Sequence, residues 1–86
     1  MIDRNEHPVG WAQFLYELAD AHEHLSDMLK AVQADAQYDE SRLRVDMGHV
    51  LAHLHRAWYC RNRPDNLTDH EWEAARQAPT DLEPIA

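Results

Sequence analysis

From Trp11 to Val32 apolar residues recur at intervals of three and four, through Phe14, Leu15, Leu18, Leu25, Met28 and Leu29, with His22 on the same line. That is the period of one helical face, and it conflicts with the two-residue period of a strand. Pro8 suits a first helical turn, where its missing N–H leaves nothing unpaired. The spacing predicts a helix over 8–34, about 40 Å long at ~1.5 Å per residue. A second run, Leu43, Met47, Val50, Leu51, Leu54, Ala57 and Trp58, predicts a helix over 39–62. Asp39 or Ser41 can cap its start, and Pro64 stops it by pushing the preceding residue out of helical geometry. Gly48 falls inside it at a cost of about 1 kcal/mol relative to alanine, so either another backbone comes close there or the cost is tolerated.

The third segment carries the sharpest local signal. Thr68 followed by Glu71 matches a capping box, with Leu67 and Trp72 at the staple positions, which predicts a helix over 69–77. Pro79 ends it and leaves an extended tail over 78–86. No segment has strand period, and 86 residues with only two glycines point to one all-α domain spanning 1–86. The short link around 35–38 folds the long helices into an antiparallel hairpin.

Setting ~100° per residue, the apolar stripes span roughly 140° and nearly 180°, wider than a two-stranded seam needs. The short helix and tail cover part of the remainder. A twofold partner, completing a four-helix-bundle-like core, covers the rest, so a homodimer is expected.

Charge divides the chain in the same three blocks. Residues 1–40 carry nine acids and two bases, 41–63 one acid and five arginines, and 64–86 six acids and one arginine. A basic block between acidic ones favours folding back, although each exposed pair stabilises by at most about 1 kcal/mol. The net charge of −8 repels nucleic-acid backbones and anionic lipid, so neither direct nucleic-acid binding nor membrane binding is expected. The start Met1–Glu6 lacks the basic-then-apolar layout of a signal peptide, and no apolar run is long enough to span a bilayer. The single cysteine, Cys60, cannot close an internal disulfide. A cytoplasmic location is expected, where the sequon Asn66-Leu67-Thr68 is inert.

Seven histidines are many for this length. His22 with His24, and His53 with His55, diverge on a helix, whereas His49 and His53 share a face with Asp46 one turn earlier. With the hairpin centred near residue 37, His22 lies opposite His53. The set His22, Asp46, His49 and His53 can thus converge as three imidazoles and a carboxylate, which zinc or another divalent metal accepts. The competing expectation is that His22 and His53 are partly buried side chains donating to carbonyls or carboxylates. Neither Glu-x-x-His nor His-Glu-x-x-His occurs.

Cys60 has no base in reach, since His53 sits about 10 Å away along the helix, and its expected role is that of a small buried group. No phosphate loop or nucleophile elbow occurs, so no catalytic residue is assigned and no enzyme is expected. The end of the second helix gathers His55, Arg56, Tyr59, Arg61 and Arg63, the composition of a partner-binding hot spot. The same arginines can instead pair with acids of the first and third helices. On the first helix, Glu17, Asp20, Glu23, His24 and Asp27 mark a polar side that is either solvated or spaced like phosphates, as in an acidic inhibitor of a nucleic-acid-binding protein.

The sequence therefore supports a small acidic, non-enzymatic adaptor or regulatory module acting through protein contacts and without a cofactor. A divalent-metal-binding helical bundle is the alternative.

Overall fold

In a computed structural model of residues 1–86, local capping sets the element boundaries. Helix α1 runs Pro8–Ala34, α2 Glu40–Cys60 and α3 Asp69–Ala75, with no strand. Pro8 occupies the first turn of α1. In the link, the Asp35 carboxylate accepts from the Gln37 N–H at 2.9 Å and from the Arg42 guanidinium at 2.6 Å. These bonds, the backbone one foremost, hold its carboxyl below the usual value. Asp39 then caps α2 by accepting from the Arg42 N–H at 3.0 Å.

Helix α2 stops at Cys60, two residues before the expected end. Pro64 disfavours helical geometry at Arg63, and the chain tightens instead into turns, with the Arg63 N–H donating to the Cys60 carbonyl at 3.1 Å. Both halves of the capping box form at α3: Thr68 Oγ1 accepts from the Glu71 N–H, and the Glu71 carboxylate accepts from the Thr68 N–H. The helix ends at Ala75, short of Gln77. No helix is long and apolar enough to cross a membrane.

The hairpin seam is not made by the largest apolar residues. On α1 it runs through Glu17, Ala21, His24, Met28 and Ala31, all at least partly buried; on α2 it runs through Leu43, Asp46, Val50, His53, Ala57 and Cys60, also all partly or fully buried. Both lines step by three and four, the heptad pattern of packed antiparallel helices. Small residues at Ala21, Ala57 and Cys60 let the two backbones approach closely. Leu18, Leu25 and Leu29 on α1, and Met47, Leu51 and Leu54 on α2, form a second line beside the seam, and each leaves 38–58% of its surface in water.

The buried core holds Ile2, Ala21, Ala57, Cys60 and Ala75, with no leucine, valine, methionine or phenylalanine. The radius of gyration, 14.7 Å, exceeds the ~12 Å of a compact chain of this length, as an open hairpin should. The N-terminal segment and the tail both close the α2 end. The Ile2 N–H donates to the Arg61 carbonyl and the Gly10 N–H to the Pro64 carbonyl, each at 2.9 Å. Gly10 is buried there, and only glycine fits, because a Cβ would overlap the Arg63 carbonyl oxygen.

Candidate functional site

One face of the hairpin is polar and built around His53. Its Nδ1 lies 2.7 Å from Glu17 Oε2, and its Nε2 lies 3.0 Å from Asp20 Oδ2. Glu17 is 1% exposed, and its other oxygen accepts from the Gln13 amide at 3.1 Å. Spacing on α1 explains the convergence, since Glu17, Asp20 and His24 are one turn apart on consecutive turns. The His24 ring stacks on His53 with centroids 5.1 Å apart and lies 5.4 Å from the His49 ring. His24 Nε2 is 3.9 Å from the same Asp20 oxygen. His24, Gly48, His49 and His53 open onto a cleft bounded by Arg56 and Trp72.

The expected set His22, Asp46, His49 and His53 is only partly assembled. His49 and His53 share this face, but His22 is exposed on the aliphatic line of α1, and His24 takes its place beside His53. The cause is a rotation of the seam: α1 packs along Glu17–Ala21–His24 rather than along its greasiest stripe. Asp46 lies in the seam nearer the link, where the Tyr38 hydroxyl donates to it at 2.6 Å. Burial, and then that carboxylate, push the Tyr38 phenol up. Glu17 and Asp20, which sequence reasoning placed on a polar side of α1, are the carboxylates that reach His53.

At the α2 end, the basic side chains proposed for partner binding are engaged within the chain. The Arg56 guanidinium lies 3.5 Å over the Trp72 ring and its Nε–H donates to the Trp72 carbonyl at 3.2 Å. Arg61 stacks on Trp58 at 3.8 Å and pairs with Asp81 at 3.1 Å. Arg63 pairs with Glu71 and lies over Tyr59. His55 Nδ1 meets the Arg76 carbonyl at 2.7 Å. Together they fasten α3 and the tail to α2. The Trp58 indole N–H also donates to Asp81 at 2.9 Å, and this bond is the main cause that lowers the Asp81 carboxyl.

Cys60 is buried, and burial, then the Glu17 charge, push its thiol up to about 11, with Arg63 opposing. At neutral pH it is a protonated packing group.

The opposite face is aliphatic. At the closed end, Met1, Phe14, Leu18, Leu54 and Leu82 line a nearly apolar hollow, and the line continues through Leu25, Leu29, Met47 and Leu51 towards the link. The hollow holds no polar group beyond Arg61 and the Trp58 indole. Searches against protein-family models, curated proteins and solved structures find no match to this chain.

Proposed function

We propose that the chain is a non-enzymatic protein-interaction module that works as a homodimer, a second copy laying its hairpin against the aliphatic face to complete a four-helix bundle. The observation that carries this is the pair of parallel lines on each helix: one fills the hairpin seam, and the other leaves six large side chains about half exposed while no leucine is buried anywhere. Helices of a four-helix bundle need two such adjacent lines, one for each neighbour. At about half exposure, those six side chains present roughly 500 Å² per hairpin, most of the ~800 Å² that each partner contributes to a standard interface.

A second copy fits better than an unrelated chain because twofold packing sets α1 of one subunit against α2 of the other. Residues 1–40 are strongly acidic and 41–63 basic, so opposite charges then meet along both rims. The dimer is the platform for adaptor or regulatory contacts.

Leu25→Glu tests this reading against the exposed control Ala19→Glu. Two buried, unpaired carboxylates at the interface cost several kcal/mol. Light scattering of Leu25→Glu is expected to give half the particle mass of the unmodified chain, with Ala19→Glu unchanged. Equal masses for all three would remove the proposal.

A further inference from the structure

On the polar face, His53 stands between two carboxylates, Glu17 Oε2 at 2.7 Å from Nδ1 and Asp20 Oδ2 at 3.0 Å from Nε2. A neutral imidazole has one N–H, so it satisfies one carboxylate and turns a lone pair on the other. A cation held between Nε2 and the Asp20 oxygen satisfies both of those atoms. Three features favour a metal cation at Nε2. First, Glu17 is buried and fixed by Gln13, so it holds the Nδ1–H and leaves Nε2 as the ligand atom, the carboxylate–imidazole–metal arrangement of outer-shell partners. Second, a second imidazole converges on the same point: His24 Nε2 lies 3.9 Å from the Asp20 oxygen. Third, the ligand atoms of Asp20, His24 and His53 lie within 4.8 Å of one another, a spread that bonds of about 2.0–2.2 Å to one ion can gather once the half-exposed His24 ring turns out of its stack on His53.

We infer that Asp20, His24 and His53 bind one divalent transition-metal ion of the zinc type, with Glu17 as the residue that positions His53. Two nitrogens and one oxygen suit a borderline ion such as Zn²⁺ or Co²⁺ better than Mg²⁺ or Ca²⁺, which prefer all-oxygen sets. The remaining coordination position faces the cleft beside His49. The two carboxylates neutralise the ion, which explains how a buried Glu17 is tolerated. The site lies on the face opposite the aliphatic line, so it stands or falls independently of dimer formation.

A second group, Asp3, Glu6 and His7, also gathers within the same limit. It is exposed, and Asp3 Oδ1 already accepts from the Asn5 and Glu6 N–H groups at 2.9 and 2.8 Å, so it is a turn rather than a ligand set.

The untagged full chain, stripped with chelator, is titrated with Co²⁺ and then Zn²⁺, with helicity followed by circular dichroism. Expected are one Co²⁺ per chain, visible absorption of the four-coordinate ion, and its displacement by Zn²⁺. His24→Ala and Asp20→Asn are expected to weaken Co²⁺ binding more than about 100-fold with helicity kept. Glu17→Gln should weaken it about 10–100-fold at unchanged stoichiometry, the range for outer-shell partners. His22→Ala and His7→Ala should bind as the parent does. His24 is the most exposed of the three ligands, so its variant decides even where another fails to fold. No Co²⁺ bound by the folded parent would overturn the inference, as would intact binding in His24→Ala or equal loss in His7→Ala.

Discussion

The two glycines of this chain should respond in opposite directions to the same one-methyl change. At Gly10 an added Cβ would lie 2.0 Å from the Arg63 carbonyl oxygen and 2.9 Å from two Pro64 backbone atoms. Ordinary contact needs about 3.5 Å, so one backbone must move by more than ~1 Å. The bond from the Gly10 N–H to the Pro64 carbonyl, 2.9 Å long, does not survive that shift. Overpacking of this kind costs about 1–3 kcal/mol and the lost hydrogen bond about 1 kcal/mol more, partly offset by the better helix propensity of alanine. A net loss of roughly 1–3 kcal/mol follows, or about 5–20 °C in Tm for a domain of this size.

At Gly48 nothing lies within 4 Å of the added methyl. Gly48→Ala therefore gains about 1 kcal/mol of helix propensity and raises Tm by roughly 4–8 °C. The assay is thermal unfolding by circular dichroism at one fixed protein concentration, because any self-association makes Tm depend on concentration. Equal shifts for the two variants, or a Gly10→Ala protein as stable as the parent, would show that the start of α1 does not cross the end of α2 as described.

Cys60 and Asp81 give two further tests. Burial raises the Cys60 thiol from 9.0 to about 11. Its contribution to stability, about 2–3 kcal/mol, is present below pH ~9 and lost as pH rises towards ~11; denaturant titrations should show that alkaline slope, and Cys60→Ala should lack it. At pH 8 the folded chain should react with a thiol reagent about 100-fold more slowly than the denatured chain, and equal rates would contradict burial. Asp81 is held below the usual carboxylate value, chiefly by the Trp58 indole N–H, so its contribution is present above pH ~4 and lost as pH falls through its lowered value in the folded chain. Asp81→Asn should change Trp58 fluorescence and speed proteolysis of residues 78–86 while leaving the global unfolding transition nearly unchanged; an unchanged tail would count against that anchor.

The elements legible in the sequence were those whose cause lies within a few residues. Pro8, Asp39 and the Thr68–Glu71 box each satisfy their own helix end, and all three helices begin within a residue of the expected positions. The face of each long helix was less legible. Hydropathy draws the eye to Leu18, Leu25 and Leu29, whereas the seam runs through Glu17, Ala21 and His24. Glu17 is buried only because His53, 36 residues away, meets it, and no local pattern contains that pairing. This rotation put His24 where His22 was expected. A signal was present nonetheless: Glu17, Ala21, His24, Met28 and Ala31 keep an unbroken three-and-four spacing, as do Leu43, Asp46, Val50, His53, Ala57 and Cys60. Two such lines on one helix mark two neighbours. The burial of Gly10 has the same character, since only the folded chain brings Arg63 and Pro64 against it.

Sedimentation equilibrium of the untagged chain over a wide concentration range bears most directly on the claim that the exposed aliphatic line is an interface between copies. The expected mass is twice the 10.1 kDa of one chain, falling towards 10.1 kDa only on strong dilution. A folded, helical species that stays at 10.1 kDa at the highest concentrations would mean that the line faces water in the working protein, and the four-helix bundle would be wrong.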